Sequence, residues 1–167
     1  MIINQQALLK AQPIKGMMGL KVRDAGPTSY GLSEAGYDIT IAQSVGFFKY
    51  AEGPAVGRRG VCINSREHQN GRFVLASALE KFQMPKDLLG VVHDKSTWAR
   101  KGLSVFNTVI EPGWHGFLTL ELVYHGEEDL FIPKGSGIAQ VLFHKVTESV
   151  EYNGKYQNQP SGPVQAR

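Results

Sequence analysis

KSTWARKG (Lys95–Gly102), LSVFNTVIEPGWHG (Leu103–Gly116) and FLTLELV (Phe117–Val123) run consecutively, and the last of them decides the fold class. Leu118, Leu120 and Leu122 fall on one face, and Phe117, Thr119, Glu121 and Val123 on the other. That is the two-residue period of a strand. Glu121 is therefore a carboxylate in mid-strand with apolar neighbours. It either points to water or sits in a pocket where desolvation disfavours its charged form. The pocket arrangement is what a general base requires, and Ser96 and Arg100 upstream are of the type that completes such a site. Charged residues on strands are mostly solvated, so pattern alone leaves both readings open.

Outward from this strand the same period recurs. AGYDITIA (Ala35–Ala42) alternates Tyr37, Ile39 and Ile41 with Asp38, Thr40 and Ala42, which predicts a half-exposed strand with Asp38 on its polar side. Gly16–Val22, Phe47–Tyr50, Gly60–Ile63, Arg72–Glu80, Leu103–Ile110, Leu130–Pro133 and Ile138–Val146 are further strand-like runs. AEGPAVGRRG, EPGWHG, HGEED and KGSG supply turns between them. Helix is predicted only over Asn4–Ala11, with Asn4 as N-cap, over Ser96–Lys101, with Ser96 as N-cap, and as one turn at Pro85–Asp87. A cap at Ser96 would aim backbone N–H groups at an anion. About ten short strands with little helix predict an all-β jelly roll or distorted β-barrel.

A chain of 167 residues is expected to form one domain. Its 19 glycines and 8 prolines favour many turns over long helices. Cys62 is the sole cysteine, which excludes a disulfide framework and suits a reducing, cytoplasmic setting. The N-terminus lacks a signal pattern and no apolar run reaches membrane-spanning length. A net charge of +3, spread over Arg58-Arg59, Lys95, Arg100-Lys101 and Lys155, argues against nucleic acid and suits a polyanionic small molecule. The domain is expected over 1–151, followed by a flexible tail over 152–167. That tail, YNGKYQNQPSGPVQAR, has no apolar period and is predicted to lack structure alone. Its Tyr152, Lys155 and Tyr156 suit a segment that orders over a charged ligand.

Several chemistries are excluded. The zinc-deaminase signature ends in P-C-x-x-C, which a single cysteine cannot supply. His68, His93, His115, His125 and His144 form no i, i+4 pair. His93-Asp94 reads as a strand-end histidine followed by a capping aspartate. There is no P-loop and no G-x-S-x-G elbow. Trp98 and Trp114 are expected in the core.

Four segments resemble the dCTP deaminase branch of the dUTPase superfamily. AGYDITIA is one. KSTWARKGL resembles R-S-S-x-x-R-x-G, VIEPGWHGFLTLEL resembles I-D-P-G-W/F-x-G-x-x-x-L-E, and YNGKYQNQ resembles Y-x-x-K-Y-x-x-Q. A typical dUTPase carries R-S-G-L-A, an Asp in G-x-I-D-x-x-Y, and a glycine-rich arm instead. The resemblance implies a homotrimer with sites between subunits that converts dCTP to dUTP and ammonia without zinc or any other protein-held metal. Glu121 would relay the proton of water, with Ser96 and Arg100 holding the water and stabilising the intermediate. The backbone around Asn107 would read the base and Glu111 would bond the deoxyribose. Lys95, Ser96, Thr97, Lys155 and Gln159 would bind the triphosphate, Tyr152 would pack on the nucleotide, and Mg²⁺ would ride on the phosphates. No nucleic-acid or membrane partner is implied.

Three departures stand out. Lys95 replaces arginine, Glu111 replaces aspartate, and Asn107 replaces a small residue. A carboxylate at Glu111 leaves triphosphate hydrolysis open, so a bifunctional deaminase–dUTP diphosphatase, or a pure dUTPase or dCTPase, is the alternative. A non-catalytic trimer that senses nucleotide is the third.

Overall fold

The structure, a computed structural model, describes residues 1–23, 26–50, 59–65 and 67–166, with backbone alone at 67–69. Residues 51–58 of the AEGPAVGRRG turn, and Arg58, lie outside it. In chain order the elements begin with β1 (Ile2–Ile3), α1 (Gln5–Ala11), β2 (Lys21–Val22), β3 (Tyr30–Leu32) and β4 (Tyr37–Thr40). They continue as β5 (Val45–Lys49), β6 (Arg59–Ile63), β7 (Glu67–Asn70), β8 (Phe73–Gln83) and β9 (Leu88–Asp94). The last are α2 (Ser96–Ala99), β10 (Leu103–Val105), β11 (Val109–Ile110), β12 (His115–Tyr124), β13 (Leu130–Ile132) and β14 (Gly137–Lys145).

These strands form three antiparallel sheets, ordered β11-β9-β14-β4-β3-β2 with β1 also on β14, β10-β12-β8, and β13-β5-β6-β7. The result is a distorted jelly roll with little helix, the all-β fold expected. Strand β14 is the axis of the large sheet, pairing with β9, β4 and β1. Its Ile138, Val141 and Phe143 meet Ile39 and Ile41 in the core, all at 0% exposure. Burying side chains of this size contributes about 1.5–3 kcal/mol each.

Strand β4 corrects one expectation. Both of its faces are buried: Tyr37 and Ile39 on one, Asp38 and Thr40 on the other. The polar face is tolerated because each group has a partner. Lys95 Nζ donates to Asp38 at 2.6 Å and Gln140 Nε2 at 3.1 Å. Thr40 donates through its N–H and hydroxyl to Glu80.

Other boundaries moved for identifiable reasons. Leu103–Ile110 is not one strand, because β10 pairs with β12 and β11 with β9 in the other sheet. The N-cap position of α2 belongs to Lys95, not Ser96, and the helix is only four residues long. Asn4 occupies the cap of α1 without a side-chain bond. Residues 85–87 form no helix, and Gly16–Val22 pairs only at Lys21–Val22.

Strand β12 follows its predicted alternation except at Leu118. Phe117 pairs with Lys81 and Thr119 with Ser77, so Ala78, Leu79 and Glu80 of β8 stand against Leu118 alone. The extra β8 residues swing toward β4, where Ala78 bridges Ile41. Such a bulge bends the strand and re-aims nearby side chains. Leu120 and Leu122 stay in the core, while Leu118 is only partly buried.

Glu80 ties this bulge to β4. Burial pushes its carboxyl above the ordinary 4.5, opposed by the hydrogen bonds from Thr40. A raised folded-state value means its contribution is complete below pH 4.5 and is lost as pH rises through the folded-state value. Urea melts between about pH 4.5 and about pH 8 are expected to show the wild type losing stability relative to Glu80→Gln as pH rises. Parallel curves for the two proteins would contradict this role.

Candidate active site

Strands β8 and β12 turn their outer face to a cavity of about 580 Å³, a volume typical of small-molecule sites. Phe73 and Leu75 of β8 and Leu118, Thr119 and Glu121 of β12 form its floor. The crossing segment from Asn107 to Glu111 walls one side, and Trp114, Tyr152, Tyr156 and Gln159 wall the other. Residues 164–166 complete the lining.

Glu121 is partly buried, and its carboxylate has no hydrogen bond or ion pair among the described residues. Its side chain lines the cavity and is neither fully buried nor fully exposed. A carboxylate in this setting has lone pairs open toward the cavity, as a proton acceptor requires. Two bonds on one edge hold its backbone: Glu121 C=O accepts from Phe106 N–H at 2.9 Å, and Glu121 N–H meets Asn107 Oδ1 at 3.4 Å. The Asn107 Nδ2 donates to Thr119 C=O at 2.7 Å. The amide of Asn107 is thus committed to β12, while the residue itself lines the cavity. Glu111 is exposed at the rim.

Tail residues reach the cavity through bonds that composition did not disclose. Trp114 Nε1 donates to Tyr156 C=O at 2.8 Å, and His115 N–H to Gln157 Oε1 at 2.7 Å. Gln159, 9% exposed, donates through Nε2 to Phe117 C=O and to Thr119 Oγ1. Val164 N–H donates to the same hydroxyl at 3.1 Å. Glycine is needed beneath this seat: Gly116 has φ +143°, and a Cβ there would lie 2.7 Å from Gln159 N. Where the tail begins, Lys86 bonds Glu151 at 2.5 Å and holds its carboxyl below the ordinary range. Tyr152, Tyr156, Gln157, Gln159 and Val164 are thus bonded to the run from Pro112 to Thr119.

Asn107, Glu111, Glu121, Tyr152 and Gln159 are brought together here. Lys95, Ser96, Thr97, Arg100 and Lys155 do not line this cavity. Ser96, Thr97 and Arg100 lie exposed on and beside α2. That loop is pinned twice, by Lys95 on Asp38 and by Trp98 Nε1 on Gly137 C=O at 2.7 Å. Lys95 is an anchor of the loop in this chain, so its ammonium is already paired. Thr119, Trp114 and Gln157 were missed as site residues. Alternation already placed Thr119 beside Glu121, whereas the other two depend on tail docking that no local pattern encodes.

His125-Gly126-Glu127 has H-x-E spacing, but Glu127 is engaged by Lys49, Arg59 and Arg72. Among the described residues no three His, Cys, Asp or Glu side chains gather as a metal-ligand set. No described helix is long and apolar enough to cross a membrane.

Three sheets in this order, with a carboxylate-bearing strand under a C-terminal strap, define a dUTPase-like jelly-roll protein. The chain belongs to the dCTP deaminase-like family, whose model matches residues 8–146. It is 31% identical over 176 residues to a dCTP deaminase of Acidobacterium capsulatum, covering 95% of this chain and 96% of that one. Its fold resembles the dCTP deaminase of Agrobacterium tumefaciens, with TM-score 0.54 and 16% identity over 85% of this chain and 47% of that one. A dUTPase variant from phage phi11 of S. aureus, described with a structural Mg(II) ion, superposes with TM-score 0.52 and 13% identity. That match covers 81% of this chain and 89% of the phage protein.

Substituting Gly116 tests the seat of the tail. Gly116→Ala is expected to accelerate tryptic cleavage at Lys155 by about tenfold, because the open fraction governs cleavage. Cleavage at the wild-type rate would show that the strap is held elsewhere.

Proposed function

We propose that the protein deaminates dCTP to dUTP and ammonia, with Glu121 as the proton-transfer group. The observation that carries this reading is the unpartnered Glu121 carboxylate on the floor of the cavity. The Acidobacterium capsulatum relative supports it, being a dCTP deaminase matched over 96% of its length.

Glu121 takes a proton from water, and the resulting hydroxide forms a bond to C4 of cytosine as the C4=N3 π pair moves onto N3. The tetrahedral intermediate receives that proton on its amino nitrogen. N3 takes the proton of the C4 hydroxyl, the exocyclic C4–N bond breaks with its electron pair on nitrogen, ammonia leaves, and C4 keeps the oxygen as a carbonyl. Water and dCTP enter; dUTP and ammonia leave. The sugar lies toward Glu111, and Tyr152 packs on the nucleotide. Arg100 and Ser96 hold the water and the intermediate, with Thr97, Lys155 and Gln159 toward the triphosphate.

Arg100 and Ser96 do not share a cavity with Glu121 in one chain. Their assignment therefore requires a second copy to bring its α2 loop to this cavity, which supports a homotrimer with sites between subunits. Mg²⁺ enters with the triphosphate as part of the substrate. Among the described residues the cavity carboxylates are not part of any group of three His, Cys, Asp or Glu able to hold a resident ion.

A second reading is favoured by Glu111, a carboxylate at the same cavity's rim. It would activate water toward the α-phosphate and release pyrophosphate, making the protein a bifunctional deaminase and dUTP diphosphatase.

Incubation with dCTP and Mg²⁺, followed by chromatography, separates the readings. A dUTP peak with ammonia and no pyrophosphate is expected; dUMP or dCMP with pyrophosphate would favour the second. Glu121→Gln is expected to lower ammonia release by at least about a thousandfold while nucleotide affinity stays within about threefold. Ammonia release near the wild-type rate in that variant would overturn the mechanism.

A further inference from the structure

The ladder between β10 and β12 ends on an unusual set of bonds. Val105 pairs with Leu122, so Phe106 faces Glu121, and a continued strand would set Thr108 against Thr119. Phe106 N–H donates to Glu121 C=O at 2.9 Å, as an antiparallel hydrogen-bonded pair requires. The reciprocal partner of Glu121 N–H would be Phe106 C=O; it is Asn107 Oδ1 instead. Thr119 C=O would take Thr108 N–H; it takes Asn107 Nδ2 instead. One side-chain amide thus replaces an acceptor and a donor of the strand that has left.

The main chain meanwhile crosses to β11 in the other sheet, where Val109 pairs with Val91. Asn107 and Thr108 line the cavity as they cross. Without the amide, the edge of β12 flanking Leu120 would face the cavity unpaired, and the strand that carries Glu121 would lose its register on that side.

We infer that Asn107 is a positioning residue, a side-chain substitute for two ladder bonds that holds Glu121 toward the cavity. The catalytic part of this inference rests on Glu121 as the proton-transfer group. Asparagine is required because the two contacts have opposite polarity. Aspartate still accepts from Glu121 N–H but has no donor for Thr119 C=O. Leucine, of similar size, supplies neither.

The test compares the full-length wild type with Asn107→Asp and Asn107→Leu, by amide hydrogen exchange and by dCTP kinetics. The Glu121 amide is expected to exchange at least about tenfold faster in Asn107→Leu and within about threefold of wild type in Asn107→Asp. For ammonia release, kcat is expected to fall at least about tenfold in both variants, with KM within about threefold. Unchanged Glu121 exchange in Asn107→Leu, or an effect on KM alone, would overturn the inference. If Asn107→Leu does not fold, Asn107→Asp decides: kcat within about twofold of wild type would overturn it. If exchange shifts as expected but the wild type releases no ammonia, the strut stands and the deamination reading fails.

Discussion

An antiparallel strand has two edges, and each buried peptide group along them must find a partner. In this protein that constraint bears hardest on β12. One edge is supplied by β8, and the other by β10 only as far as Phe106. Beyond it, Asn107 and then the C-terminal residues take over: Gln159 bonds Phe117 in both directions, and Thr119 accepts from Gln159 and Val164. A cavity opens because the edge is completed by side chains and a tail instead of a regular strand. The Glu121 carboxylate stands where the regular ladder stops.

Charge is distributed by the same logic of pairing. Asp38 is buried, and Lys95 with Gln140 meets its carboxylate, while Lys21 lies 3.6 Å away. Breaking such a buried pair by removing one partner is costly, so this set holds the α2 loop against the large sheet. Glu127 forms the comparable hub at the opposite sheet, shared by Lys49, Arg59 and Arg72. Glu121 and Glu111 are the carboxylates of the cavity, and neither is spent on an ion pair among the described residues.

The α2 loop presents Ser96, Thr97 and Arg100 outward while the cavity presents Glu121 inward. A loop so firmly pinned at Lys95 and Trp98 has little freedom to fold back across its own chain. Its exposed polar groups are suited to a neighbouring copy, which is why the proposed chemistry and the proposed assembly depend on each other.

Local pattern was enough for the all-β character of the chain and for the faces of β12. Alternation in FLTLELV set Leu120 and Leu122 inward and Thr119 with Glu121 outward, and the Gly/Pro-rich turns between short runs specified an all-β fold. These features are legible because strand period and turn chemistry involve residues adjacent in sequence. What the alternation could not contain was pairing between distant segments. The three β8 residues opposite Leu118 re-aimed that leucine, the Asp38–Lys95 contact across 57 positions buried both groups, and the split of Leu103–Ile110 turned Asn107 onto β12. The tail is the clearest case. Its composition determined that it could not fold alone, but the edge of β12, with Gly116 lacking a Cβ, decided that it would be held. Contacts of that kind arise only when the sheet already exists to offer the unpaired groups.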